Sequence, residues 1–297
     1  MEKPDLSVVI PTYQGANRVV RTLGCLSTQV FKSFEVIVVV DGSTDGTYEM
    51  LIGMSWPFHI TIINQSNKGR AGARNVGVVA ARADYIVFLD DDLAFDDLML
   101  TRYDTLIGAG HSIVAGAVYP VESKEHAEFL AYSQYLNAKW SNGVLERGNL
   151  KIPFFMAANA MFERAVFVDL GMFDERLRDA EDFDLATKIF KRELPIFFEP
   201  DIIAGHHITS GFVSYVRRLI EYEKAKHALV EVNLDAAKFL TFKEPEGGKK
   251  FLYTTFASKL WIRTMDWGIL RIFPKPFRFR LYDFLLTAYM RKKSRTP

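Results

Sequence analysis

Three acidic groupings are the residues of this 297-residue chain whose types and spacing suit chemistry. Asp90-Asp91-Asp92 follows the apolar run Tyr85–Leu89. Asp41 opens the turn Asp41-Gly-Ser-Thr-Asp-Gly-Thr47 after the apolar run Phe34–Val40. Glu181, Asp182 and Asp184 begin a helical pattern. Adjacent carboxylates repel one another, and Mg²⁺ or Mn²⁺ relieves that repulsion by taking oxygen ligands, often one or two carboxylates plus substrate phosphates. Asp90 and Asp92 share a face if the segment stays extended. The competing reading of the triplet is a solvated acidic loop or an N-cap run before Leu93. Asp41 can accept hydrogen bonds from a nucleobase or ribose, or serve the turn alone, since Asp, Gly and Ser are turn formers. The acids at 181, 182 and 184 also satisfy a helix's preference for negative charge in its first turn.

Other polar residues admit two readings each. Arg70, Arg74 and Asn75 begin a helix after Gly69 and Gly72; they pair with phosphates or with the Asp clusters, or form a solvated helix face. Asn159, in Ala157-Ala-Asn-Ala160, touches a donor sugar or acceptor, or is a buried capping amide. His111, His126 and His227 have no constellation around them and read as structural or surface residues.

The elements that must position these groups alternate. Ser7–Ile10, Phe34–Val40, His59–Asn64 and Tyr85–Leu89 read as strands, while Ala16–Val30 and Gly72–Ala83 have helical spacing. Phe34–Val40 is almost wholly apolar, as a strand covered on both faces requires. Strand, helix and strand in repetition specify βαβ units and a mainly parallel sheet, with ligands beyond the carboxyl ends of its strands. Ser112–Tyr119 and Ile152–Phe162 read as further extended stretches, and Asp182–Glu193 as a helix stopped before Pro195. From about Phe212 the pattern is helical.

Composition excludes several classes. Apolar residues make up 49% and charged residues 25%, so the chain is neither disordered nor fibrous. A formal net charge of +1 gives no bulk signal for nucleic acid or membrane. The single cysteine, Cys25, excludes a disulfide framework and reads as a small buried residue. Met1–Asp5 runs into a strand without the shape of a signal peptide, and no apolar run is long enough to span a bilayer. A cytoplasmic protein is expected. Charge is uneven, however: residues 250–297 carry eleven Lys/Arg against two Asp, interleaved with Trp261, Trp267, Phe273, Phe277, Phe279, Tyr282, Phe284 and Tyr289. Such a segment either meets an anionic membrane surface or is an ordinary helical subdomain with solvated bases. No nucleic-acid motif accompanies it.

Ser7-Val-Val-Ile-Pro-Thr-Tyr13, Phe34 through Thr47, Asn67-Lys-Gly-Arg-Ala-Gly-Ala-Arg-Asn75, Tyr85 through Asp92, and Gly171-Met-Phe-Asp-Glu175 with Glu181-Asp-Phe-Asp-Leu185 occur in order. Together they resemble the family 2 glycosyltransferases of the GT-A fold, over about residues 5–210. The resemblance implies an α/β fold, a mainly parallel doubly wound sheet with a C-terminal helical extension. It implies a catalytic domain at 1–211 (nucleotide-binding half about 1–110, acceptor half about 111–211), leaving the basic, aromatic-rich region at 212–297.

The resemblance also implies roles. Pro11, Thr12 and Tyr13 match a strand-end segment lining the nucleotide pocket. Asp41 matches the carboxylate that reads uracil in UDP-dependent members, although Val40 stands where many carry a second acid. Asp90 and Asp92 match the outer positions of the DxD motif, with Asp92 a metal ligand, and Asp91 lies between them on the donor side with Arg70, Arg74, Asn159 and Glu181. Asp182 matches the general base. His206, after Glu199-Pro200-Asp201, matches a histidine near the metal in some members; His207 is the other candidate. The expected activity is an inverting transfer of a sugar from a nucleotide-diphosphate donor, a UDP-sugar, to a hydroxyl of a saccharide or polyprenyl-linked acceptor, with Mg²⁺ or Mn²⁺ on the diphosphate. The protein is then cytoplasmic, with peripheral contact at the inner face of the membrane through 250–297, and a homo-oligomer is open to it. The alternatives are a sugar nucleotidyltransferase, which should carry a Gly-rich basic loop where Pro11-Thr-Tyr-Gln-Gly15 stands, and a non-catalytic nucleotide-sugar-binding scaffold.

Overall fold

The computed structural model describes residues 2–121, 125–141, 145–177, 179–240, 253 and 255–293. They divide into two compact units, residues 1–119 with 143–206 and residues 120–142 with 207–297. The second unit takes residues 120–142 besides the C-terminal region. Residues 120–142 carry the chain out of the first unit and back, and after residue 206 it passes into the second unit again.

The first unit is built on strands β1 (Leu6–Thr12), β2 (Phe34–Asp41), β3 (His59–Gln65) and β4 (Tyr85–Leu89), with helices α1 (Ala16–Ser27), α2 (Thr47–Ile52) and α3 (Gly69–Ala80) between them. These four strands pair in parallel in the order β3-β2-β1-β4. There follow β5 (Leu93–Ala94), α4 (Met99–Gly108), β6 (Ile113–Val121), α5 (Ala127–Ser141), β7 (Gly148–Asn149), β8 (Asn159–Glu163), α6 (Arg164–Asp169), α7 (Glu181–Lys191) and β9 (Phe197–His207). The sheet continues through β8, β6, β9 and β5, with β8 antiparallel to both β4 and β6. The extended stretch expected at 152–162 is a strand only from Asn159, and the first helix stops at Ser27, where Gln29 folds back to Leu26.

Successive strand residues serve opposite faces. Val36, Val38 and Val40 join α1, α2 and α4 in one core, whereas Ile37 and Val39 join α3, α6 and α7 in the other. That is why β2 is apolar at every position except Glu35 and Asp41. α3 lies close on β1: a Cβ at Gly77 would stand 2.4 Å from Val9 Cγ1. Cys25 is half-buried on α1 rather than buried.

The second unit gathers α5 with α8 (Phe212–Val232), α9 (Lys259–Asp266) and α10 (Lys275–Lys293), with short 3-10 turns at Leu234–Lys238 and Ile269–Ile272. Its core is aromatic, with Phe129, Tyr132, Phe212, Phe279 and Tyr282 in tilted and edge-on contacts. Among the described residues no helix is long and apolar enough to cross a membrane.

Candidate active site

Parallel pairing brings the carboxyl ends of β1, β2 and β4 to one edge of the sheet, where Thr12, Asp41 and Asp90 end or follow their strands. The loops after β1 and β2 clasp each other. The Gln14 amide donates to Ser43 Oγ at 2.9 Å, and its side chain exchanges hydrogen bonds with Thr44. Gln14 is held at φ 50, a left-handed conformation uncommon for a residue other than glycine. Asp45 accepts from the Ala16 and Thr47 amides, fixing the start of α1 against the same loop.

Asp41 is buried, and its Oδ1 accepts from Gln65 Nε2 and the Lys68 amide, both at 2.8 Å. Asn67 Nδ2 reaches the Asp41 carbonyl at 2.9 Å. Gly42, at φ +75, permits this approach, since a Cβ there would lie 2.7 Å from the Asn67 nitrogen. Asp41 thus presents one carboxylate oxygen already bound, while Oδ2 has no hydrogen bond among those described. Pro11 is half-buried, Thr12 is buried, and Tyr13 is exposed at the end of β1.

The three consecutive acids diverge. Asp90 Oδ1 accepts from Arg74 Nη2 at 2.6 Å. Burial works against its charge, but Arg74 and Arg70 outweigh that and hold its carboxyl below the usual range. Asp91 turns inward, where Thr12 Oγ1 donates to it at 2.5 Å and Arg18 from Nη2 at 3.1 Å. Burial lifts the Asp91 carboxyl above its ordinary value in spite of those donors. Asp92 places Oδ2 3.1 Å from His206 Nε2, and its Oδ1 is buried with no hydrogen-bond partner. His206 reaches it because β5 and β9 pair antiparallel with Leu93 opposite His206. Of the two histidines, His206 is therefore the one beside the acids.

Arg74 is buried and bridges Asp90 to Glu181 Oε1, the latter at 2.8 Å from Nη1. Neither Arg74 nor Asn75 lies on a solvated face: Asn75 donates to the Phe173 carbonyl and to Glu175. Burial and the adjacent Asp182 push the Glu181 carboxyl up to about 7 against the pull of Arg74. The ion pair does not prevent this, because one guanidinium faces three neighbouring carboxylates. Burial also raises the Asp182 carboxyl, against Arg74. Asp182 is half-buried, and its Oδ1 accepts from the Phe183 amide at 2.8 Å at the start of α7. Arg70 forms an ion pair with Asp179 at 3.3 Å.

Three of the donor-side residues have partners within the protein. Asn159 is fully buried; Tyr103 donates to its Oδ1, and its Nδ2 donates to the Ala117 and Ile202 carbonyls, so the amide joins strands, as the buried-amide reading has it. Asp91 is engaged by Thr12 and Arg18, which makes it a brace between β1, α1 and the strand end. Arg74 pairs with Asp90 and Glu181, the acid-cluster reading of the two that the sequence offered. Sequence reasoning missed Arg18, Gln65, Lys68 and Glu175. Arg18, one turn into α1 behind the Pro11–Gly15 loop, was the one with a signal, since a cation there faces the acidic strand ends.

This chain has relatives. Residues 7–171 match the family Glycosyl transferase family 2. The amylovoran biosynthesis glycosyltransferase AmsB of Erwinia amylovora is 27% identical over 282 residues, covering 89% of this chain and 85% of AmsB. The succinoglycan biosynthesis protein ExoO of Rhizobium meliloti is 29% identical, covering 73% and 64%. The glycosyltransferase GlyA of Streptococcus pneumoniae is 27% identical over 76% of this chain, which spans only 33% of GlyA. Several of the matched relatives are similarly long, so the chain spans about a third of their length. Among solved structures, the mannosyltransferase PcManGT of Pyrobaculum calidifontis, in complex with GDP-Man and Mn²⁺, superposes with a TM-score of 0.62 at 18% identity, covering 98% of this chain and 86% of that one. Residues 1–349 of TarS of S. aureus, in complex with UDP, give 0.57 at 17% identity, covering 96% and 89%. Both likenesses establish the GT-A fold. With more than half of its length matched, and with its strand-end acids on a GT-A sheet, the chain belongs to glycosyl transferase family 2.

Proposed function

We propose that this chain is an inverting, metal-dependent glycosyltransferase that moves a sugar from a UDP-sugar to a hydroxyl of a saccharide or lipid-linked acceptor in polysaccharide biosynthesis. The observation that carries the reading is the buried, unpartnered Oδ1 of Asp92 beside His206, on the sheet edge that Asp41 shares. A carboxylate oxygen buried without a donor is costly unless a cation meets it. One carboxylate and one imidazole, with no third His, Cys, Asp or Glu converging among the described residues, suit Mg²⁺ or Mn²⁺, which fills its remaining positions with phosphate oxygens and water. Bound there, the cation stabilises negative charge on the departing diphosphate.

The residues of the chain do the rest. Asp41 accepts a hydrogen bond from the base of the nucleotide, and Tyr13 offers an exposed ring beside it. Arg70 stands near the phosphate side. Asp182 takes the proton of the acceptor hydroxyl, a role favoured by its raised pKa, since a base poised nearer to neutrality transfers protons more effectively. The other carboxylates around it are engaged, Asp90 and Glu181 by Arg74 and Asp91 by Thr12 and Arg18, which favours a single displacement with inversion. The names of AmsB and ExoO support an exopolysaccharide context, and the UDP and GDP-Man complexes of the structural neighbours support a nucleotide-sugar donor. A peripheral position at the cytoplasmic face of a membrane accords with a lipid-linked acceptor.

The test is a calorimetric titration of UDP, GDP, dTDP and CMP, with and without Mn²⁺, on the wild type and Asp92→Ala. Metal-dependent binding of UDP alone, lost in the variant, is expected. Preference for GDP would overturn the donor; binding of none would overturn the enzyme reading.

A further inference from the structure

We infer that the connector between α9 and α10 is the element by which the second unit docks on an anionic lipid surface. This deepens the lipid-linked-acceptor reading above, but it stands on the geometry of this unit alone. Every residue from Arg271 to Phe277, the sequence Arg-Ile-Phe-Pro-Lys-Pro-Phe, is exposed. Ile272 is 80% exposed and Trp267, at the end of α9, is 61% exposed. Ile269 and Phe277 are exposed as well, and the Phe273 and Phe277 rings lie 5.3 Å apart. Large side chains concentrated in eleven residues and left in water mark an interaction surface, not incidental exposure.

The stripe continues along α9. Leu260, Arg263 and Trp267 fall three and four residues apart on one face and are exposed, while Ile262 and Met265 on the other face enter the core. Pro274 and Pro276 flank the first residues of α10, where proline fits without breaking the helix, and they stiffen the connector so that its apolar side chains stand out at small entropic cost.

Charge selects the partner. Lys259, Arg263, Lys275 and Arg280 are exposed around the apolar stripe. The segment's two acids are turned to internal work: Asp266 accepts from the Phe212 and Val213 amides at 2.7 and 3.2 Å, capping α8, and Asp283 accepts from Tyr132 and Lys139 at 2.6 and 2.8 Å. Arg278, with Arg271 beside it, is matched by Glu128. The outward cations therefore act together, as anionic headgroups require, while Trp267, Ile272 and Phe277 enter the boundary between headgroup and acyl chain. A second copy of this surface would set like charges against one another, which disfavours a symmetric dimer here.

The experiment is vesicle co-sedimentation of the full chain, with phosphatidylcholine alone or mixed with phosphatidylglycerol, at low and high salt. The wild type is expected to bind the anionic vesicles, to bind the neutral ones far less, and to be released by salt. Ile272→Glu with Phe277→Glu, and separately Arg263→Glu with Lys275→Glu, should each lower binding by about tenfold or more. Ile272→Ser with Phe277→Ser is the milder variant should the charged one fail to fold. Nucleotide titration on the same samples should be unchanged, so loss of vesicle binding with donor binding intact is separable from failure of the transferase reading. Undiminished sedimentation of the variants, equal binding to neutral vesicles, or absence of binding with a dimer that the variants dissociate would overturn the inference.

Discussion

The Arg74 guanidinium meets the Glu181 carboxylate at 2.8 Å across 107 residues of chain, and its other amino group holds Asp90 Oδ1 at 2.6 Å. One buried cation thereby ties the acid that follows β4 to the helix whose next residue is Asp182. Arg74→Met leaves both carboxylates without their counter-charge and should cost about 3–5 kcal/mol, the usual consequence of breaking a buried pair from one side. Arg74→Lys keeps the charge but lacks the fork that reaches two partners, so its loss should be smaller. Urea unfolding of the three proteins checks this; a Met variant as stable as the wild type would remove the bridge from the account.

Glycines on α1's side of the site separate close packing from mere helix weakness. A Cβ at Gly15 would lie 2.1 Å from Thr12 Oγ1 and 2.3 Å from Asp91 Oδ2, whereas at Gly24 it meets nothing within 4 Å. Gly15→Ala must displace the Thr12–Asp91 hydrogen bond and should destabilise by about 1–3 kcal/mol. Gly24→Ala, inside the helix and unhindered, should stabilise by about 0.5–1 kcal/mol. Thermal melts of the two variants should move in opposite directions, and a common direction contradicts the packing argument.

Asp92 is expected to matter for binding and little for folding. Its Oδ1 has no partner to lose, and His206 faces Oδ2. Asp92→Ala should therefore unfold within about 1 kcal/mol of the wild type, while Mn²⁺-dependent affinity for the nucleotide falls by about tenfold or more. His206→Ala should give a smaller loss of the same kind. Unaltered metal dependence in both variants would move the cation elsewhere.

The parallel half of the sheet was legible because its signals are local. Apolar runs of four to seven residues, turn residues after them and helical spacing between them marked β1 to β4 with α1 and α3, though not the short α2, and carboxylates at strand ends followed from topology. What depends on distant contacts was not legible. Nothing near Asn159 reveals that Tyr103 and the carbonyls of β6 and β9 use its whole amide, nor does Asp91 announce that it faces inward while its neighbours do not. Period-2 alternation would put Asp91 opposite Asp90 and Asp92, but the burial of Thr12 and the position of Arg18 are tertiary facts. Residues 120–142 join the second unit through the aromatic packing of Phe129 and Tyr132 on Phe212 and Tyr282, a pairing that spans too much chain for pattern reading. The basic C-terminal segment was visible as composition, but which of its side chains face water was not.

The Glu181–Asp182 pair makes pH the most informative variable. Burial and the neighbouring charge raise the Glu181 carboxyl from 4.5 to about 7, and burial raises Asp182 as well, so the two titrate together. A carboxyl with a higher pKa folded than unfolded binds more protons in the native state, and its contribution to stability declines as pH rises from about 4.5 to about 7. Glu181→Gln keeps an oxygen for Arg74 and discards the charge. Its stability relative to wild type should therefore improve from about pH 5 to about pH 7 and level off above that, measured by urea unfolding; a constant difference would mean that Glu181 titrates alike folded and unfolded. Turnover obeys the opposite sense, because Asp182 must be deprotonated to accept a proton. Activity should fall as pH drops through an inflection above the ordinary carboxylate range, and Glu181→Gln should move that inflection down by removing the adjacent charge. Asp182→Asn should lower turnover by about 10²–10⁴ with nucleotide binding nearly intact. If that variant instead turns over like the wild type, the proton goes to another group and Glu181 and Asp182 are paired for folding alone.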